Sequence, residues 1–381
     1  MSAAAARRRK QLLARKQQEQ DAVSARLQSL LTDESLGDEA TAYEALQLAQ
    51  SQIRKKEHSG DYVGAVELAY QSSLAILKRG RVSVASQLLT LLAEVLRETH
   101  TEETEEYLQK LIELYEAHRA AMEGRMGAEA TRLHRLHRDW LRRCVQWSAE
   151  LGPIRFGQMR LQEIYAKQCW LLAHLVEEEE DPDELLELRA DAITHMALAE
   201  KPDQIVEWLQ TLSAPTALQT AAGHVCPPAE RDALLTRAIL CLCAIENLRD
   251  ASTILRGYME KVEERKIDDL TASYVNKEDG KAPSHVIFNC MLLRICEKDP
   301  RTGPLYSWLL RSFKRELDGM FKPQIVQSYT TKIGKVYFNI QPPPSMMNMV
   351  ENMMSMMGGG PGAGMNPAMM QALAAQMGGA M

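Results

Sequence analysis

The segment Gly60-Asp61-Tyr62-Val63-Gly64-Ala65-Val66-Glu67-Leu68-Ala69-Tyr70 reads as the end of one helix and the start of another. Gly60 can take a positive φ and close the preceding helix, and Asp61 can accept hydrogen bonds from the first N–H groups of the next. Val63, Val66, Tyr70, Leu74 and Leu77 then recur at helical spacing. Lys78-Arg79-Gly80-Arg81 ends that helix with cations and a glycine, which suit the negative end of the helix dipole. A further apolar helix follows on Val84, Leu88, Leu91, Leu92 and Val95. Upstream, Gly37-Asp38 followed by Ala42 is a shorter copy of the same breaker and small-residue start. Helix, glycine-punctuated turn, helix is the unit of a helical-repeat array.

Composition agrees with that reading. The 381 residues are 45% hydrophobic, 25% charged and 6% aromatic, ordinary for a soluble globular chain and poor in the β-branched alternation of strands. The net charge of −6 supplies no general reason to expect nucleic acid as a ligand. The 7 cysteines are scattered without a disulfide or zinc framework, as expected for reduced thiols in the cytosol. No apolar run reaches membrane-spanning length, and the N-terminus lacks the apolar core of a secretory signal.

Residues 1–37 are expected to be a basic flexible arm carrying Arg7, Arg8, Arg9, Lys10, Arg15, Lys16 and Arg26. An arm that docks an acidic partner and an organelle presequence are the competing readings, the second weakened by the scarcity of Ser. Residues 38–340 are read as the array, its N-terminal half reaching about 212 and its C-terminal half starting at about 229. Glu102, Glu103, Glu105 and Glu106 suit a helix N-terminus. His134 and His137 share a helix face, but nothing completes a metal set, so they read as surface histidines. Asp183 is the expected cap of the helix after the acidic run Glu177–Asp181. Arg237–Leu255 is the most apolar helical pair, with a turn at Glu246-Asn247, and Tyr306–Met320 and Gln324–Lys332 make two later helices. Val336-Tyr337-Phe338-Asn339-Ile340, closed by prolines, has the content of an edge strand or extended tail. Residues 341–381 form a Pro/Met/Gly-rich tail, expected to be largely disordered, whose methionines suit adaptable apolar contacts. One reading of those methionines is that they shelter hydrophobic segments.

Phosphate-binding loops, dinucleotide fingerprints, zinc-protease and serine-nucleophile motifs are all missing, and no nucleophile, base and orienting group assemble. No catalytic residue, cofactor or metal is therefore expected. Arrays of this kind are usually binding scaffolds.

Several stretches stand out in order: Tyr43-Glu44-Ala45, Ala69-Tyr70-Gln71-Ser72-Ser73-Leu74, Trp147-Ser148 with Phe156-Gly157 and Arg160-Leu161, and Arg237-Ala238-Ile239-Leu240 with Leu242-Cys243, Asn247 and Ala251. The most specific is Lys332-Ile333-Gly334-Lys335-Val336-Tyr337-Phe338-Asn339-Ile340-Gln341-Pro342-Pro343. In this order, over roughly 38–357, they resemble the Golgi to ER traffic protein 4 family. The resemblance implies an all-α, right-handed, tetratricopeptide-like solenoid of antiparallel helix pairs. It also implies a cytosolic, non-enzymatic adaptor in the delivery of tail-anchored membrane proteins, part of a hetero-oligomer, with no direct membrane insertion. Its N-terminal face would dock a targeting ATPase through Arg54, Lys55, Lys56, Asp61, Lys78 and Arg79. Its C-terminal face would hold a ubiquitin-like-domain partner through Phe321, Val336, Tyr337, Phe338, Ile340, Met346, Met349 and Met353. Solvated helix ends are the competing account of the cations, and intramolecular core that of Tyr337 and Phe338. A generic helical-repeat scaffold or cochaperone subunit, unrelated to tail anchors, is the alternative function.

Overall fold

The Gly60-Asp61 turn forms as its residues dictate, and its geometry then recurs along the chain. In the computed structural model, which describes residues 18, 21–32, 38–176, 181–212, 228–264, 266, 284–298 and 300–341, helix α2 (Glu39–Ser59) ends on Gly60 at φ 80°. The Asp61 N–H reaches back to the Lys56 carbonyl at 2.9 Å, while its carboxylate accepts from the Gly64 N–H at 3.0 Å to start α3 (Tyr62–Lys78). The same six-residue closure joins α3 to α4 (Val82–Glu98), with Arg81 N–H to Ile76 carbonyl, and closes α4, with Thr101 N–H to Leu96 carbonyl. The left-handed residue is Gly80 in the first case and His100 in the second. It recurs after α8 (Pro182–Leu198) at Glu200 and after α10 (Pro228–Ala244) at Glu246. These closures satisfy carbonyls that the helix ends would otherwise leave unbonded.

The remaining helices are α5 (Glu105–Met122), α6 (Ala128–Leu151), α7 (Met159–Ala173), α9 (Pro202–Thr211), α11 (Leu248–Lys261), α12 (Ser284–Cys296), α13 (Gly303–Ser312), α14 (Lys314–Asp318) and α15 (Pro323–Phe338). Thr104 caps α5, with Glu105 and Glu106 in its first turn, and Asn247 caps α11. Successive helices pack as antiparallel pairs around a main core, with a small second cluster of Val82, Met122, Ala130 and Leu133, and no strand occurs among the described residues. The fold is an all-α solenoid.

The two halves meet at α10. From Leu234 to Ala244 every one of its residues is buried, because α8, α11, α12 and α15 pack around it. Apart from Thr236 and Arg237 these residues are apolar, and a helix apolar on most sides is stable only when enclosed in this way.

Five readings of the sequence are corrected. Residues 21–32, assigned to the flexible arm, form helix α1, which buries Leu27 and Leu30 and pairs Arg26 with Glu44 at 3.0 Å. The strand-like Val336–Ile340 segment is instead the end of α15: Ile333, Gly334 and Phe338 bury at helical spacing, and Asn339 closes the helix at φ 52°. Its branched and aromatic residues fit a helix because a neighbouring helix takes up their apolar face. The cap of α8 is Asp181, which accepts from the Glu184 N–H at 2.9 Å with Pro182 in the first turn, rather than Asp183. Val63 lies on the outer face of α3, 71% exposed, and the buried stripe is Ala65, Val66, Ala69, Ile76 and Leu77. Tyr306–Met320 breaks at Phe313 into α13 and α14. The basic residues before Arg26 and the methionines after Gln341 lie outside the described residues.

Candidate partner-binding surfaces

The six N-terminal candidates fall into two groups. Arg54 projects from α2 between Glu57, Glu94 and Glu98, at 3.1, 3.3 and 3.4 Å, and Glu94 also holds Arg143 at 3.0 Å. Burial draws the Arg54 pKa down, but the Glu57 hydrogen bond and the three carboxylate charges outweigh it and leave the pKa raised. Lys56 meets Asp61 at 2.6 Å across the α2–α3 turn. That bond, with the Gly64 N–H, holds the Asp61 carboxyl below the ordinary range. Arg54, Lys56 and Asp61 are thus committed to joining α2, α3 and α4. Lys55 beside them is exposed.

Lys78 and Arg79 lie at the opposite end of α3, about 24 Å away at the helical rise per residue. Both are exposed and neither has an acidic partner among the described residues. Two cations missed in the sequence join them. Arg81 follows across the turn, and Arg125, between α5 and α6, donates to the Gly80 carbonyl at 2.6 Å. Arg81 was legible as the last residue of Lys78-Arg79-Gly80-Arg81. Arg125 was not, since only the stacking of helix pairs brings it to the same end.

The C-terminal candidates also divide by burial. Phe338 is core, its ring stacked on Tyr306 at 4.6 Å, and is unavailable to a partner. Tyr337 is half-buried, with its hydroxyl enclosed and unbonded. Ile340 packs against Gly334 and Gly303, and Phe321 is half-buried with Lys322 above its ring. Val336 remains at the surface. Met346, Met349 and Met353 lie outside the described residues. The larger exposed apolar side chains on these helices were missed: Leu305 and Trp308, 54% and 50% exposed, sit three residues apart on one face of α13. The helix expected from the sequence began at Tyr306, and only packing shows that Tyr306 points in while Leu305 and Trp308 point out.

His134 and His137 are buried rather than on the surface. With His118 of α5 they form a ring cluster, His118 and His137 stacked at 3.5 Å and 8°. Parallel stacked rings do not converge on one ion, and no group of three or more His, Cys, Asp or Glu among the described residues is placed to hold a metal. Among those residues no helix is long and apolar enough to cross a membrane.

An all-α array that joins its helix pairs by internal ion networks, while leaving cations at one end and apolar side chains at the other, is a scaffold of the solenoid class. The profile of the Golgi to ER traffic protein 4 family matches residues 59–357, and the chain belongs to that family. Among solved structures it is similar to a crystal structure of Get4 from C. therm., with a TM-score of 0.51 and 20% identity, over 91% of this chain and 98% of that one. No curated protein matches the chain.

Proposed function

We propose that this protein is a non-enzymatic cytosolic adaptor in the delivery of tail-anchored membrane proteins to the endoplasmic reticulum, within a hetero-oligomer. The observation that carries this reading is membership of a Golgi-to-ER traffic family in a chain with two differently built surfaces. The exposed cations Lys55, Lys78, Arg79 and Arg125, with the half-buried Arg81, suit an acidic face of a targeting ATPase, engaged quickly and sensitive to salt. Leu305, Trp308 and Val336 suit an apolar, slowly released segment of a ubiquitin-like-domain partner, with Trp308 as anchor. Arg54, Lys56 and Asp61 hold the platform, and Phe338 supports α13 from behind.

Pull-downs from cell extract with three full-length forms test this. The unaltered chain should recover an ATPase and a ubiquitin-like-domain protein. Lys78→Glu with Arg79→Glu should lose the ATPase alone, and Leu305→Asp with Trp308→Ala should lose the other alone. Recovery of neither by the unaltered chain, with chaperones or an unrelated assembly instead, would favour a generic scaffold.

A further inference from the structure

A cavity of about 590 Å³ opens where α8, α10, α12 and the α14–α15 turn meet, within the range of roughly 300–1,000 Å³ usual for ligand pockets. Its walls include the apolar side chains of Leu186, Ala190, Ala233, Leu234, Met320 and Phe321. Arg237 also lines it, and this arginine is 3% exposed. Its Nε donates to the Thr194 hydroxyl at 3.1 Å and its Nη1 to the Phe321 carbonyl at 2.8 Å. Both acceptors are neutral. No carboxylate among the described residues pairs with the guanidinium, and Nη2 has no partner there.

Other enclosed arginines of this chain are balanced. Arg189 is joined to Glu230 at 2.8 Å, and Arg231 to Glu263 at 2.7 Å. The Arg189 bond engages Glu230, a wall carboxylate in the first turn of α10, and Glu230 makes no bond to Arg237. At the rim, the exposed Arg315 adds a second positive charge beside Glu316 and His285. A buried charge lacking a counter-charge is costly, and an apolar wall around it cannot offset that cost.

We propose that this cavity is a binding pocket for an apolar carboxylate: Arg237 meets the carboxylate with its free N–H edge, and the α8, α10 and α14–α15 walls hold the aliphatic or aromatic part. A guanidinium presents a planar fork to a carboxylate, which a single ammonium does not reproduce. The ligand can be an apolar residue carrying a carboxylate in a polypeptide segment, or a free aliphatic acid. The site shares only Phe321 with the C-terminal candidates and none of Leu305, Trp308 and Val336, and its test does not depend on either partner.

The intact chain would be titrated by calorimetry with N-acetyl-leucyl-phenylalanine bearing a free carboxylate and with its C-terminal amide, and with decanoate and decanol. A carboxylate should bind about tenfold or more tightly than its neutral twin, the margin of one charge-assisted hydrogen bond. Arg237→Met should abolish that margin and Arg237→Lys reduce it. Ala233→Leu, which fills the cavity without touching a charge, should weaken every probe. Circular dichroism would confirm that each variant is folded, and Ala233→Leu carries the test if the Arg237 variants are not. Binding of the dipeptide alone identifies a polypeptide ligand, and binding of decanoate alone a free amphiphile; either supports the pocket. Equal binding of charged and neutral twins overturns it. So does the absence of saturable binding by any probe, or binding unchanged in folded Arg237→Lys and Ala233→Leu.

Discussion

His137 lies among the rings of His118, Tyr115 and Trp140, with neither ring nitrogen hydrogen-bonded, and His118 Nε2 is likewise unbonded. Burial, joined by the charges of His134 and Arg125, pushes the His118 pKa down to about 3, and burial drives His137 well below its ordinary value. His134, whose Nδ1 lies 3.1 Å from Gln168 Nε2, is lowered by burial as well. The unfolded chain therefore binds protons that the folded one refuses. Stability is complete above the unfolded value near pH 6.5 and is lost as pH falls from there toward the folded value. The urea midpoint is expected to drop steeply between neutral pH and about pH 5. Replacing His137 by Phe keeps a flat ring in the stack and removes two unbonded nitrogens. That variant should stay within about 1 kcal/mol of the parent at neutral pH and lose less stability on acidification. An unchanged acid slope in His137→Phe would show that the cluster does not set it. The pair was legible as two histidines on one helix face; that the face points inward was not.

At the scale of the helix pair, the left-handed closure is the repeating device. Gly60 has nothing within 4 Å of where a Cβ would stand, so Gly60→Ala adds no clash, only the backbone cost of φ 80°. The expected loss is about 1–2 kcal/mol, read as a lower thermal midpoint with the fold retained. Glu246→Gly, which relieves the same conformation at φ 69°, should cost little or raise the midpoint. A loss comparable with that of Gly60→Ala would mean that the Glu246 side chain does more than occupy the turn. Gly60-Asp61 announced its turn because glycine and a capping carboxylate are local signals. His100 and Glu200 announced nothing, since their conformation is imposed by the packing of the helices on either side.

For the whole molecule, the question is whether the halves unfold together. Repeat arrays can melt piecemeal. Here α10 is enclosed by helices of both halves, and Arg237 ties α8 to the turn before α15 through Thr194 and the Phe321 carbonyl. Leu240, fully buried in α10, should therefore report on both: Leu240→Ala is expected to cost about 2–5 kcal/mol. Because Trp140 and Trp147 lie in the first half, their fluorescence and the helical circular dichroism should shift to the same lower midpoint. Tryptophan signals that hold their midpoint while helicity falls in two steps would show that the halves unfold independently.

Helix content, the Gly60, Gly80 and Asn247 turns, the family and the apolar character of Ala238–Ala244 were determined by the sequence alone. Those features depend on residues near one another in the chain, where spacing and capping act directly. The tertiary structure alone decided which cations are spent and which are free. Arg54 and Arg79 are equivalent in the sequence, yet Arg54 meets carboxylates from α4, some 40 residues on, and Arg79 meets none among the described residues. It also decided that Phe338 is core while Trp308 is surface, and that Arg237 faces a cavity with no carboxylate bonded to it among the described residues. Each is set by which helix packs against which, and that choice sums many weak contacts between distant residues that no local pattern encodes.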